Sequence, residues 1–573
     1  MKTAQSGWLV LGCLIALGRA GPVAAADDPA APRASAAGAA TAATAAARLA
    51  FPPAVAAAMR GIDPEHIRAH VKFLADDLLE GRGTGTRGGE IAARYIATEF
   101  ALDGLAPAGD DGGYLQRVAF IGAQTLDGTS ASLSMPHGAT LALTRGADYV
   151  VGNETQSERV DIDAPIVFVG YGIEAPEYHW DDFRGVDVKG KVVLVIVNEP
   201  PSRDPKFFAG EALTYYGRWT YKFEEAARKG AIGALIIHRA DLASYGWNVV
   251  RSSWSNEQVY LAEDREPKLE AAAWIQLDVA RQILAAAGLK LDELIAAAGT
   301  RGFKARELPV RLEAHIESRV RRFDSYNVLG MLPASGAPAE AVMYSAHYDH
   351  LGINPALPGD KIYNGAVDNA TGCGILLELA HAYASSAAKP PHPVLFASVT
   401  AEEKGLLGSE YLGRHLPIAP SQVTLALNFD AVQPYGIPEG VTVTGAERTT
   451  FYPVVERTAQ AFGYEIQPDA EPGAGHYYRS DHFSMARVGV PAFSINTSTR
   501  FAGHTLAWGK ALHDEYTAKR YHQPSDEYTP DMDFTADAAM AQFGFALGWQ
   551  ALSSATSVNW RPGDEFEARR RGR

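Results

Sequence analysis

Cysteine is almost missing from this sequence. Only Cys13 and Cys373 occur in 573 residues. Cys13 falls inside an apolar N-terminal run, so a chain processed past that run keeps one thiol and no intrachain disulfide. Stability must then come from buried core, which a chain of this length can provide. Long hydrophobic runs are missing too: beyond Trp8–Gly18 nothing approaches eighteen consecutive apolar residues, which argues against a membrane span. Positive charge is in deficit. The formal net charge is -15, and no basic stripe interleaved with aromatics is visible, which argues against a nucleic-acid partner.

Residues 1–26 carry Lys2, the run Trp8–Gly18 and Ala24-Ala25-Ala26 ahead of Asp27. That pattern predicts a secretory signal peptide, hence a secreted or periplasmic protein. Residues 27–57 are mostly Ala with few large apolar side chains, and are expected to form a flexible leader. With 47% hydrophobic residues, two domains are the natural expectation. Order is expected from Asp63, an N-cap ahead of Pro at the first helical position, followed by the turn GRGTGTRGG and a helix over Glu90–Leu102. From 145 to 312 the texture changes to short strands and Gly/Pro turns, with a helix at Glu224–Lys229. We read this as a β-rich insert between two parts of one catalytic domain, 58–144 and 313–555, with a tail at 556–573.

The chemistry concentrates between Met343 and Asp430. Three β-rich runs, Val342–Ala346, Val394–Thr400 and Val423–Phe429, each end beside a metal-binding residue type: His347, the pair Glu402 and Glu403, and Asp430. Asp368 follows a Gly-containing loop and opens a helical run, Ala370–Ala384. Ligands at the carboxyl ends of strands mark the crevice of an open α/β sheet. Hydrolysing a peptide bond at neutral pH requires an activated nucleophile and a stabilised oxyanion, and two divalent ions about 3.5–4 Å apart supply both. Such a pair needs a bridging carboxylate plus a His and an acid on each ion. His347, Asp368, Glu403, Asp430 and the distant His522 make up that inventory. Glu402 is free to be a base: on extended backbone adjacent side chains point to opposite sides. Asp349, two residues after His347, is placed to accept that ring's second proton.

Together AHYDHLG, GAVDNATG, TAEEKGLLGS, NFDAV, SDHFSMARVGVPAF and YHQPSDE, preceded by LADDLLEGRGTGTRGG, resemble the M28 family of co-catalytic zinc aminopeptidases. The insert resembles a protease-associated domain. The resemblance covers most of residues 60–550. It implies an α/β fold, a mixed, mostly parallel sheet flanked by helices with the β-rich insert. It also implies two zinc ions, a metal-bridging hydroxide as nucleophile, and peptides with a free N-terminus as substrates. Asp368 would bridge the ions, His347 and Asp430 would complete one, and Glu403 and His522 the other. Glu402 would be the general base, Asp349 would orient His347, and Tyr521 would stabilise the oxyanion as a tyrosine does in some relatives.

Three competitors share the fold. A carboxypeptidase or dipeptidase that recognises a terminal glutamate calls for arginines beside the site, and GVPAFSINTST (489–499) contains none, Arg500 lying just outside. A single-zinc, glutaminyl-cyclase-like acyltransferase does not need both His347 and Asp430. A binding protein that has lost chemistry would be missing ligands. His350, His381, His392, His415 and His513 are expected to be surface or core residues, Asp481 and His482 to fix their loop, and Cys373 to be a buried thiol. The loop with His476, Tyr477 and Tyr478 either lines the pocket or simply packs.

Overall fold

A computed structural model describes residues 30–570 except 244, 335–339 and 470. The signal-peptide reading of residues 1–26 lies outside them. Among the described residues no helix is long and apolar enough to cross a membrane.

Much of the stretch expected to be a flexible leader is helical: α1 spans Ala30–Arg48 and α2 spans Pro53–Arg60. Ala42, Ala45 and Ala46 are buried, as are Val55 and Met59. Alanine is the best intrinsic helix former, and a face of small side chains lets α1 lie close to the helix Tyr452–Phe462. The bulk at that contact comes from partners such as Phe462 and Phe543. Arg48 then donates to Ala461 O at 3.1 Å, closing the C-terminal end of the partner helix. Composition alone hides this, because the apolar area is supplied by the other side.

The Asp63 carboxylate accepts from Glu65 N–H at 2.9 Å and starts α3, Pro64–Leu74; α4 covers Arg87–Leu102. Between them the Gly-rich turn threads tightly. A Cβ on Gly88 would lie 1.7 Å from Leu79 O, so only glycine fits. Strand β1 follows (Leu115–Thr125), then the strands of the insert: β2 (Arg159–Phe168), β3 (Val192–Ile196), β4 (Gly233–Ile237) and β5 (Ala271–Ile275). These four run parallel. Helix α5, Trp219–Arg228, packs against β4.

Strand β6, Arg306–Leu332, is 27 residues long and belongs to both sheets. Its first half pairs with β2, and its second half pairs with β1 and then with the catalytic strand β8 (Val394–Val399). The hairpin Ser130–Ser134/Thr140–Leu143 also joins the first half of β6. The limits expected at 145 and 312 therefore fall within continuous structure, the hairpin lying on the insert's side and β6 crossing from one sheet to the other.

The catalytic sheet adds β7 (Ala341–His347), β9 (Val423–Asn428) and β10 (Ala492–Ser494). It runs β10-β9-β7-β8-β6-β1. Strands β7, β8, β9 and β10 are mutually parallel, and β6 is antiparallel to β8. Every residue of β7, β8 and β9 is buried, which explains their unbroken apolar sequences. One face packs on α3, α4, α6 (Gly372–Ser385) and α7 (Thr535–Leu552), and the other buries Met343, Leu395 and Ala426 against Leu412 and Met485. This mixed sheet with flanking helices is the fold class expected from the sequence.

Candidate metal centre

Because β7, β8 and β9 run parallel, their carboxyl ends share one edge, and His347, Glu402/Glu403 and Asp430 meet there. Asp368 comes from the loop before α6 and His522 from the segment before α7. His347 Nε2 is 3.2 Å from Asp430 Oδ1 and 3.4 Å from Asp368 Oδ1. On the other side His522 Nε2 is 3.3 Å from Asp368 Oδ2 and 3.2 Å from Glu403 Oε2. The two oxygens of Asp368 thus face two different clusters, as a bridging carboxylate requires. All five predicted ligands converge.

The donor set suits a metal. Carboxylate oxygens and imidazole nitrogens at hydrogen-bond spacing are what zinc and similar ions bind. Two groups have donor atoms within 4.8 Å of one another: His347, Asp368 and Asp430, and His350, Asp368 and Glu403. Without an ion the imidazoles carry the countercharge. Burial would raise the Asp368 carboxyl, but hydrogen bonds from His347 and His522 hold it well below the usual carboxylate range. Burial lowers His522, yet Glu403 and Asp368 outweigh it and its pKa is pushed up to about 9.

The second group includes a residue that the sequence reading set aside. His350 is fully buried, with Nδ1 2.6 Å from Glu403 Oε1. Gly365, at φ 57°, makes room for it: a Cβ there would sit 2.7 Å from the His350 ring and 2.2 Å from Asp368 O. The available signal was the pair of histidines three residues apart at the end of one strand.

Asp349 has a different job from the one expected. His347 Nδ1 is 3.1 Å from the Asp349 backbone carbonyl, while the Asp349 carboxylate accepts from Thr84 Oγ1 at 2.5 Å and from Glu402 N–H at 3.3 Å. Its side chain therefore fixes the start of the Glu402 turn, and its main chain orients His347. That turn is also not extended. Ala401 sits at φ 54° and Glu402–Lys404 form a helical turn. The two glutamates diverge because successive side chains in such a 3-10 turn point about 120° apart. Glu403 faces His350 and His522. Glu402 answers to His347, Asp430 and Asp481, and burial, together with the neighbouring acids, pushes its carboxyl well above the usual range.

Supporting contacts were largely invisible in the sequence. Asp526 accepts from the N–H groups of Val367 and Asp368 at 3.1 and 3.0 Å and so holds the bridging loop; burial pushes its pKa up to about 6. The buried Arg82 donates to Tyr348 O at 2.7 Å and Gly365 O at 2.9 Å, tying the end of β7 to the Asp368 loop. Ser480 Oγ donates to Asp430 Oδ2, and Asn496 Nδ2 donates to Asp430 O at 2.8 Å. The Cys373 thiol, pushed by burial up to about 11, donates to His347 O at 3.1 Å; it is a prop beneath a ligand. The Tyr521 ring stacks on His522 with centroids 4.0 Å apart and stays 43% exposed. Burial and the carboxylates of Asp368 and Glu403 push the phenol well up, leaving it a neutral donor.

The other histidines stay away: His381 pairs with Asp103 and His415 with Glu263. Arg500, the arginine nearest the expected acid-recognition stretch, pairs with Glu465.

Residues 327–545 match peptidase family M28. This segment is an M28 peptidase domain. Leupeptin-inactivating enzyme 1 of Streptomyces exfoliatus is 29% identical over 254 residues, 42% of this chain and 51% of that protein. A probable zinc metalloprotease of Pyrenophora tritici-repentis is 32% identical over 231 residues, 39% and 51%. The chain thus spans about half the length of these curated relatives. Among solved structures, an aminopeptidase from Aneurinibacillus sp. strain AM-1 superposes with a TM-score of 0.51 at 18% identity, covering 88% of this chain and 98% of that one. It shares the fold. In the M28 domain all of the predicted site residues lie at or beside the centre.

Proposed function

We propose that this protein is an exported co-catalytic metallopeptidase, with a pair of zinc ions, that removes N-terminal residues from peptides. The observation that carries the reading is Asp368, whose two oxygens face separate His/carboxylate clusters. Two clusters sharing one carboxylate favour two ions over the single ion of a glutaminyl-cyclase-like acyltransferase. The similar proteins include a probable zinc metalloprotease and an aminopeptidase, which agrees with a zinc peptidase. His347, Asp430 and one oxygen of Asp368 would hold one ion; Glu403, His522 and the other oxygen would hold the second. His350 would hold Glu403 in place from behind. Bound there, the ion pair would polarise the scissile carbonyl and supply a nucleophile at neutral pH.

The chain's own residues do the rest. Glu402, its turn fixed by Asp349, takes a proton from the nucleophile and returns it to the leaving amine; a raised pKa suits a group that must do both. Tyr521 donates to the developing oxyanion. Five acids surround the centre, Asp368, Glu402, Glu403, Asp430 and Asp481, and an excess of carboxylate favours an α-ammonium group at the deep end. The insert would act as a protease-associated-like wall of the cleft.

Glu402→Gln should keep both metals, measured by elemental analysis, and lower turnover about 10²–10⁴-fold. The native enzyme should cleave free peptides and spare N-acetylated ones. Equal turnover by the variant, or cleavage of acetylated peptides, would reject the reading.

A further inference from the structure

Away from the metal centre, the packed helices α3 and α6 bring three histidines together. The helices lie close: a Cβ on Gly374 of α6 would sit 3.0 Å from Ile67 Cγ2 of α3. His66 and His70 stand one turn apart on α3, an i,i+4 pair that shares a face, and α6 supplies His381. The rings of His66 and His381 are 6.1 Å apart and nearly perpendicular, at 83°. Both side chains are half-exposed, so an ion can reach them from solvent. Two imidazoles on one tetrahedral ion, with metal–nitrogen bonds of about 2.0–2.1 Å, place their ring centroids roughly 5 Å apart. The pair therefore needs to close by only about 1 Å.

Each ring is held by its Nδ1. His66 Nδ1 is 3.2 Å from Glu378 Oε2, His381 Nδ1 is 2.7 Å from Asp103 Oδ1, and His70 Nδ1 is 2.8 Å from Tyr95 Oη. The Glu378 side chain is only 2% exposed, and its other oxygen accepts from Asp63 N–H at 2.8 Å, so this carboxylate is fixed beneath the ring. A carboxylate on one imidazole nitrogen orients the ring and makes the other nitrogen a better ligand, which is how metal-binding histidines are supported. Among the described residues, Nε2 of all three histidines is without a hydrogen bond. Burial lowers His70 to about 4, so its ring is neutral at pH 7. The cluster is looser than the centre, where three donors lie within 4.8 Å of one another, and it should bind more weakly.

We infer that His66 and His381, with His70 as a third donor, form a separate site for a divalent ion of the zinc, nickel and copper class that clips α3 to α6. Imidazole suits those ions, whereas calcium and magnesium take oxygen. The inference does not rest on the peptidase reading. Helix α6 starts at Gly372, so His381 lies about 14 Å along it from the end that carries the Asp368 loop. An ion at this site leaves the five ligands of the centre in place and ties together two helices that flank it.

The test counts ions on the full chain by equilibrium dialysis against graded free Zn2+, followed by elemental analysis. After the tighter centre has filled, the native protein should take up one ion more than His381→Ala, with the centre's own ions retained in the variant. The count is a difference between two proteins, so it holds whatever number of ions the centre takes and survives failure of the peptidase reading. Asp103→Asn should keep the extra ion but move its half-filling to about 10- to 100-fold higher free zinc. Cu2+ added to protein with a zinc-filled centre should show imidazole nitrogen couplings by electron paramagnetic resonance, and His381→Ala should lose them. If His381→Ala fails to fold, His66→Gln, which can still hydrogen-bond Glu378, gives the same count. Equal uptake by the native protein and the folded variant, or an extra ion whose affinity both Asp103→Asn and His66→Gln leave unchanged, overturns the site.

Discussion

Two places in this chain bury clustered charge beside a parallel sheet, and they do so in opposite ways. At the carboxyl edge of the catalytic sheet, carboxylates are matched with imidazoles, His347 and His522, in a cleft that also exposes Tyr521. In the insert, Glu199 and Asp182 are matched with Lys222, and all three are buried. Burial pulls each of these three toward neutrality, to about 7. The donors of the first cluster face one another across a cleft, whereas those of the second are spent on backbone: Glu199 accepts from Thr214 N–H and Lys222 donates to Tyr216 O. The first cluster is therefore built to exchange protons for a cation, and the second to fix backbone, holding Thr214 and Tyr216 in the loop that leads to α5.

The largest effect should separate the two directly. Asp368→Asn should empty both metal positions and lower turnover more than a thousandfold, read by metal content and kcat, with the insert's cluster unchanged. Lys222→Met should do the reverse. Removing one partner of a buried charge cluster costs about 3–5 kcal/mol of stability, visible as a lower denaturant midpoint, while zinc stoichiometry stays at the native value. A Lys222→Met protein lacking zinc would erase the distinction.

Smaller effects sharpen it. Asp526→Asn and His350→Gln each remove a group that positions a ligand without being one of the five, and should weaken metal affinity about 10- to 100-fold in competition with a chelator. The smallest concerns protons. With His522 raised to about 9 in the metal-free protein, its ring is charged at pH 7 and must lose that proton to bind an ion. Metal uptake should release protons below pH 9, and affinity should climb with pH up to that point. Calorimetry in buffers of different ionisation enthalpy would show it, and no release at pH 7 would contradict it.

Much of the centre was legible because strand ends and ligands coincide in sequence. Val342–Ala346, Val394–Thr400 and Val423–Phe429 were each within a residue or so of a buried strand, and parallel pairing then brought their ends together. Elsewhere the cause lay in three dimensions. His350 looked ordinary, because nothing local says that Gly365 leaves space for its ring. The role of Asp526 depends on backbone N–H groups some 160 positions away. Arg82 looks like a surface residue until its carbonyl partners from three segments are known. The helices of 30–60 were hidden for a related reason: alanines bury no large side chain of their own, and Val55 and Met59 are too few to mark an amphipathic face.

Strand β6 has a mechanical consequence. A single strand laddered into both sheets works as a shared beam, and rotating the insert against the catalytic body would shear main-chain hydrogen bonds on either side of the crossing. The insert is thus held at a set angle to the edge where His347, Asp368 and Asp430 meet.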